Sequence, residues 1–193
     1  MGAAVRRMSF RMAAMLALAL SAIPAEFDGE IHKAVPVIAA EEETAAQEQK
    51  AEVPVGTYYR VHGRTPNTEW QAALRNELRR YGIEWYMPYA VCQIWQESRW
   101  NQWSDNGHDR GITQQKGVYW EARAARYGVG GASIWDVQAQ FRVFAGMMSG
   151  YLAATGNNIE WALSYYFYGS GEYAAKYVSD VYSHLPYMER CER

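Results

Sequence analysis

The sequence is poor in the residues that build disulfide frameworks and metal sites. Its two cysteines, Cys92 and Cys191, are too few for a framework and lack the close spacing of metal ligands. The four histidines are also scattered along the chain without ligand spacing. They are His32, His62, His108 and His184. We therefore expect neither a bound metal nor a cofactor.

An excess of one charge is missing as well. The formal net charge of the whole chain is −2, and basic and acidic residues nearly balance between residues 53 and 193. Such a surface offers no basic field from which nucleic acid could release counterions, so the composition argues against a nucleic-acid partner. Hydrophobic residues make up 49% of the chain and aromatic residues 15%, which is enough apolar material to build a core.

No apolar run is long enough to span a bilayer comfortably. The longest run, residues 12–23, has about a dozen residues, whereas a transmembrane helix needs ~20. This run is preceded by three arginines, Arg6, Arg7 and Arg11. A positively charged segment before a short apolar run is typical of a secretory signal peptide. We predict a signal peptide over residues 1–25, with an uncleaved anchor as the alternative. Small residues allow cleavage as late as residue 39.

The segment after the predicted signal differs in composition from the rest. Residues 26–66 are acidic and rich in Ala and Glu, and they show no apolar face, so we interpret them as a linker. Residues 67–193 are the expected folded domain. The prediction is a protein that is secreted or held in the cell envelope, monomeric, and not stably inserted in the membrane once the signal is removed.

Period-two alternation is absent from the expected domain, and helical spacing recurs instead. The predicted helices cover residues 68–81, 88–100, 118–127, 136–154, 158–168 and 173–184. Thr68 is the expected cap of the first, with Gln71 three residues on, and Pro88 suits the first turn of the second. Core positions on the fourth are Phe141, Phe144, Met147, Met148, Tyr151 and Leu152. We predict a single all-α domain.

Glu97 lies beside an apolar stripe on the second predicted helix. The stripe consists of Met87, Ala90, Val91, Ile94 and Ser98, whereas Gln93, Gln96 and Arg99 point elsewhere. Glu97 is about 60° from Ile94 around the helix axis. A desolvated carboxyl has a raised pKa and can donate a proton to a leaving oxygen, as a glycosidase acid does. The alternative is a glutamate that faces water or pairs with Arg110 or Arg123.

The loop after this helix mixes hydrogen-bonding groups with aromatic rings. Its polar residues are Asn101, Gln102, Ser104, Asp105, Asn106, His108, Asp109, Thr113, Gln114 and Gln115, and its aromatic neighbours are Trp100, Trp103, Tyr119 and Trp120. Amides and hydroxyls beside aromatic faces suit a sugar, although an ordinary surface loop over core aromatics has the same composition. The candidate sugar contacts are Ser104, Gln114, Tyr166 and Tyr168.

Four segments together resemble one protein family. They are Glu97–Ser98, Gly111–Gln114, Ala162–Gly171 and Tyr177–Val181. In this order they are similar to the motifs of lytic transglycosylases with a goose-type lysozyme-like domain of the SLT type, which cleave the glycan strands of bacterial peptidoglycan. The resemblance covers roughly residues 70–185.

The resemblance implies a single catalytic glutamate, Glu97, with no carboxylate nucleophile opposite it. Glu97 would protonate the glycosidic oxygen of the β-1,4 bond after N-acetylmuramic acid and then accept the proton of the C6 hydroxyl of that sugar. The product would be a 1,6-anhydro ring. The matching motifs further imply that Gln114 binds substrate near the cleaved bond, that Tyr166 lines the cleft, and that Tyr177 positions Glu97.

Two alternatives remain open at the level of sequence. A lysozyme-like hydrolase would need a second carboxylate, for which Asp105 and Asp109 are the nearest candidates. A glycan-binding module without catalytic activity is suggested by departures from the family pattern. Phe167 stands where the family has Asn, Thr113 where it has Met, and His108–Arg110 precede Gly111 in place of small residues.

The two cysteines could still form one bridge. Cys92 lies opposite the apolar stripe of its helix, Cys191 lies in the C-terminal tail, and export would permit oxidation. A bridge would close a loop of about a hundred residues and stabilise the fold by up to ~4.7 kcal/mol in the entropic model. We expect this disulfide, with two unpaired thiols as the alternative.

Overall fold

Helices make up most of the described chain, as predicted. The computed structural model describes residues 57–168 and 171–191. Its helices are α1 (Thr68–Arg80), α2 (Met87–Ser98), α3 (Trp120–Arg126), α4 (Val137–Ala154), α5 (Ile159–Phe167) and α6 (Gly171–Ser183). Short 3-10 turns at Glu84–Tyr86, Gly117–Tyr119 and Leu185–Tyr187 connect some of these elements.

Four short strands accompany the helices and were not predicted. Strand β1 (Tyr58–Val61) pairs antiparallel with β4 (Met188–Cys191), and β2 (Asp109–Arg110) pairs antiparallel with β3 (Gln115–Lys116). Strand β1 lies inside residues 26–66, so the linker prediction is wrong for that part. Four residues are too few to show a periodicity, and the partner of β1 comes from the far end of the chain.

Helix α1 is capped by a different residue from the one predicted. The side chain of Asn67, not Thr68, accepts hydrogen bonds from two backbone N–H groups of the first turn, at 2.8 and 3.2 Å. The predicted partner of the cap, Gln71, is buried instead. Its side chain accepts from the Tyr59 backbone N–H at 2.8 Å and donates to the Tyr59 carbonyl at 3.0 Å, which fastens β1 to α1.

Helix α4 is the centre of the core. The six predicted core residues Phe141, Phe144, Met147, Met148, Tyr151 and Leu152 are all buried, which confirms that prediction. Helices α1 and α5 both pack on α4, α6 packs on α5, and α2 packs on α6. The last two turns of α2 lie against the middle of α6, where Gln93 and Glu97 both hydrogen-bond Tyr177.

The predicted disulfide is not present. Cys92 is fully buried on α2, where its Sγ lies 3.8 Å from Met188 Sδ, and Cys191 is a free, partly exposed thiol at the end of β4. Pairing of β4 with β1 holds the C-terminal segment that the bridge was expected to fix.

The predicted signal peptide, and the predicted linker up to residue 56, lie outside the described residues. Within residues 57–168 and 171–191, no helix has both the length and the apolar composition that a membrane span requires.

Candidate active site

A cleft of about 260 Å³ opens where the end of α2 meets the β2–β3 hairpin and helices α5 and α6. It is lined by Gln96, Glu97, Asn106, Asp109, Gln114, Gln115, Lys116, Arg123, Met147, Tyr166, Phe167, Tyr168 and Tyr177. Five predicted site residues are among them: Glu97, Gln114, Tyr166, Tyr168 and Tyr177. Ser104, the remaining predicted sugar contact, does not line it.

The last turn of α2 directs Glu97 into this cleft. The helix ends at Ser98 because Arg99 and Trp100 both adopt left-handed backbone conformations, with φ of 56° and 63°. Ser98 points into the core, where its hydroxyl donates to the Ile112 carbonyl at 2.7 Å. The two residues of the Glu-Ser pair therefore have different roles. Ser98 connects the helix to the following loop by a hydrogen bond, and Glu97 faces the cleft.

The environment of Glu97 favours its protonated form. Burial raises the pKa of Glu97 to about 8, the Tyr177 hydrogen bond lowers it in part, and the charge of Asp109 raises it again. Neither predicted arginine pairs with it. Arg110 pairs with Asp105 at 3.3 Å, and Arg123 donates to Gln115 at 3.0 Å. The alternative of a glutamate neutralised by arginine is therefore wrong.

A chain of buried hydrogen bonds leads to Glu97. The Tyr86 hydroxyl donates to Gln93 Oε1 at 2.8 Å, Gln93 Nε2 donates to the Tyr177 oxygen at 3.2 Å, and the Tyr177 hydroxyl donates to Glu97 Oε1. A phenol has one proton, so acceptance from Gln93 leaves that proton for Glu97. The predicted contact between Tyr177 and Glu97 is present.

Gln93 lies outside the apolar stripe of α2, as expected, but it is not exposed to solvent. Its side chain is fully buried between α2 and α6. Gln93 precedes Glu97 by four residues, so the two lie on the same side of α2 one turn apart. That spacing of an amide before a carboxyl was the signal in the sequence that could have identified Gln93.

The loop between α2 and β3 is braced by its own side chains. Gln114, with φ of 49°, donates from Nε2 to the carbonyls of Ser104 at 3.1 Å and Gly111 at 2.8 Å. Thr113 is fully buried and donates from its backbone N–H and its hydroxyl to Gln140 Oε1, at 2.7 and 2.8 Å. The hydroxyl at Thr113 therefore anchors the loop to α4 and does not face the cleft.

Only glycine fits at position 111, the first residue of the Gly111–Gln114 segment. Gly111 has φ of +77°, and a Cβ added there would lie 1.7 Å from Gln140 Nε2. Ser104 contributes its backbone carbonyl to the bracing of Gln114.

Three consecutive aromatic residues at the end of α5 occupy different parts of the cleft. The Tyr166 hydroxyl donates to the Thr113 carbonyl and accepts from Gln115 Nε2 at 2.9 Å, so its polar atom is already engaged. Phe167 is 41% exposed and stacks on the Tyr177 ring, with centroids 4.9 Å apart. Phe167 thus covers the ring of the residue that holds Glu97. Tyr168 hydrogen-bonds Arg123.

The two carboxylates considered for a hydrolase differ in position. Asp105 is paired with Arg110 and accepts from the Gly107 backbone N–H at 2.7 Å, which is a turn role. Asp109 lines the cleft, where one of its oxygens accepts from Asn106 Nδ2 at 3.2 Å. Only Asp109 of this pair is placed to act on a molecule bound beside Glu97.

Lys116 and Arg123 also line the cleft and were not predicted as site residues. The β2–β3 hairpin positions Lys116, and α3 positions Arg123 against the rings of Tyr119 and Tyr168. No local sequence pattern indicated either cation. In the described part of the chain, no three His, Cys, Asp or Glu side chains are grouped as a metal site would require.

The arrangement can deliver a proton in a partly enclosed polar cleft. A carboxyl with a raised pKa is held by an oriented phenol, and amides, cations and aromatic rings surround it. Comparisons of the chain with protein-family models, with curated proteins and with solved structures find no match.

Proposed function

We propose that this protein is an exported peptidoglycan lytic transglycosylase, with a lysozyme-like helical domain of the SLT type and a preceding signal peptide. The reaction cleaves the β-1,4 bond between N-acetylmuramic acid and N-acetylglucosamine. One observation carries the proposal: the cleft contains a single glutamate, Glu97, whose pKa of about 8 keeps it protonated at neutral pH and whose orientation is fixed by Tyr177.

Glu97 serves first as the acid. Its proton passes to the glycosidic oxygen as the bond between that oxygen and C1 of the muramic acid breaks. The C6 hydroxyl oxygen of the same sugar then forms a bond to C1, and its proton passes to the Glu97 carboxylate. The net result is a 1,6-anhydro sugar and a new hydroxyl on the leaving sugar, and Glu97 regains its starting state.

Tyr177 matters most in the interval when Glu97 is charged. Its hydroxyl donates to Glu97 Oε1, and a hydrogen bond to a carboxylate is stronger than one to a neutral carboxyl. The buried Gln93 keeps the Tyr177 proton directed at Glu97 throughout the cycle. No second carboxylate and no water are needed for this sequence of steps.

A lysozyme-like hydrolase is the second candidate, because Asp109 lines the same cleft and its charge acts on Glu97. In that reaction Asp109 would serve as the second carboxylate of an ordinary glycosidase. The substitution Asp109→Asn separates the two candidates. A transglycosylase keeps its activity in this variant, whereas a hydrolase that depends on Asp109 loses it.

The experiment that tests catalysis itself compares the wild-type protein with Glu97→Gln on purified peptidoglycan. We expect soluble muropeptides from the wild type only, because the amide of a glutamine at this position is far too weak an acid to protonate the glycosidic oxygen. Equal release by the two proteins would contradict catalysis by Glu97. If neither protein releases muropeptides and both bind peptidoglycan, the cleft is a binding groove.

A further inference from the structure

Two cations, Lys116 and Arg123, line the same cleft as Glu97 and Tyr166. Arg123 is only 5% exposed, and its guanidinium donates to Gln115 Oε1 at 3.0 Å and to the Tyr168 hydroxyl. The Lys116 ammonium lies 4.6 Å from the centre of the Tyr168 ring, and the Arg123 guanidinium lies 5.1 Å from it.

The partners of these cations are neutral. Among residues 57–168 and 171–191, neither Lys116 nor Arg123 has a carboxylate oxygen within 4.0 Å. Asp109 is directly opposite Lys116 in the β2–β3 pair but hydrogen-bonds Asn106 instead. Arg142, by contrast, is less deeply buried, with 21% of its side chain exposed, and has the carboxylate of Glu77 beside it.

A buried guanidinium without an anion is unfavourable, because the charge loses its hydration and gains no counter-charge. The cleft therefore presents positive charge that an incoming anion would neutralise. Lys116 is only partly buried and supplies mobile N–H donors beside it.

Gln115 connects this region to the rest of the site. Its Nε2 donates to the Tyr166 hydroxyl at 2.9 Å, and its Oε1 accepts from Arg123 at 3.0 Å. Tyr166 in turn lines the same cleft as Glu97. A ligand that places a bond at Glu97 therefore lies in the same cleft as the two cations.

We propose that Lys116 and Arg123 form a subsite for a carboxylate of the bound glycan strand. This inference rests on the proposed function, since it concerns the substrate of that same cleft. The sugar rings of peptidoglycan are neutral, and carboxylates occur on the lactyl group of muramic acid when the peptide has been removed, or on the stem peptide when it is attached. The subsite would distinguish wall glycan from a polymer of N-acetylglucosamine alone.

The test measures binding by calorimetry to full-length Glu97→Gln protein, which does not cleave the ligands. Four tetrasaccharides are compared. The first is the neutral tetrasaccharide of N-acetylglucosamine, and the second is the alternating wall tetrasaccharide with free lactyl carboxylates. The third is the wall tetrasaccharide with those carboxylates converted to methylamides, and the fourth is the wall tetrasaccharide that carries stem peptides. We expect a carboxylate-bearing ligand to bind about tenfold more tightly than its amide, as a charge-assisted hydrogen bond predicts.

Two further substitutions locate the effect. Lys116→Gln is expected to remove the preference for the carboxylate over the amide, and Arg123→Gln should do the same if the variant folds. Arg60→Gln is the matched control, because it removes one positive charge from an exposed position on β1 where the side chain bonds only Thr65 among the contacts the structure describes. The control should keep the full preference.

Each outcome has a distinct meaning. Preference for the free acid over its methylamide assigns the subsite to the lactyl group, and preference confined to the peptide-bearing ligand assigns it to the stem peptide. Equal affinity for carboxylate and neutral forms overturns the subsite, as does a preference that persists in Lys116→Gln. Either of those two results would overturn the subsite alone, and the proposed function would stand if the wild type still cleaves peptidoglycan. Failure of every glycan to bind overturns the proposed function as well.

Discussion

Removal of one oxygen atom at Tyr177 should change the pH dependence of catalysis in a defined direction. The hydroxyl donates to Glu97 Oε1 and accepts from Gln93 Nε2 at 3.2 Å. Its hydrogen bond favours the charged form of Glu97, so it lowers the pKa of Glu97 against the larger effect of burial. Tyr177→Phe removes this bond and keeps the ring on which Phe167 stacks. The pKa of Glu97 must therefore rise.

The size of the rise follows from the strength of the lost bond. A hydrogen bond to a charged group contributes about 1.5–3 kcal/mol, and one pKa unit corresponds to about 1.4 kcal/mol. The pKa of Glu97 should move up from about 8 by roughly one to two units. A general acid is active while protonated, so activity that declines above about pH 8 in the wild type should persist to higher pH in the variant.

The assay is the rate of peptidoglycan clearance, measured as kcat/KM over a pH series that extends well above neutrality. Tyr173→Phe is the matched control, because Tyr173 lies on the same helix, is 78% exposed, and should leave the alkaline limit unchanged. Thermal unfolding of each variant confirms that it is folded at the pH values used. An alkaline limit that stays in place or moves to lower pH in Tyr177→Phe would refute the assignment of Glu97 as the acid held by Tyr177.

Three further predictions concern the same site. Gln93→Leu leaves the hydroxyls of Tyr86 and Tyr177 without their buried amide partner, so the free energy of unfolding in urea should fall by about 1–3 kcal/mol, and kcat should fall with it. Stability of the wild type should decrease as pH rises from 4.5 to about 8, by at most about 1.4 kcal/mol per pH unit for this one group, since the folded protein retains a proton on Glu97 that the unfolded chain releases. Urea titrations at several pH values should show that Glu97→Gln lacks this slope. Asp109→Asn removes a negative charge that raises the pKa of Glu97, so the alkaline limit of activity should move to lower pH, opposite to Tyr177→Phe.

The helices were predictable because their signal is local. On α4, the apolar residues that recur at helical spacing are the ones that form the core, and Pro88 lies in the first turn of α2 as expected. The strand pair β1–β4 was not predictable, since each strand has four residues and its partner is more than a hundred residues away. The disulfide prediction failed for a related reason: the position of Cys191 is set by that strand pair.

The place of Glu97 in the cleft was predictable, but only part of the hydrogen-bond network around it was. The edge of an apolar stripe together with the resemblance of the downstream segments singled out Glu97, and the resemblance of Tyr177–Val181 to a known motif singled out its partner. Gln93 was missed because a helical wheel reports the direction of a side chain but not what packs over it, and α6 covers that side of α2. Lys116 and Arg123 were missed because only the folded hairpin and α3 bring them to one wall.

The most direct test of the account is the mass of the glycan fragments released from purified peptidoglycan. Lytic transglycosylation by Glu97 predicts soluble fragments that end in a 1,6-anhydro ring, each lighter by one water than the corresponding hydrolysis product, and no such fragments from Glu97→Gln. Fragments that carry an ordinary reducing end would contradict the lytic reaction, and anhydro products from Glu97→Gln would contradict the role of Glu97.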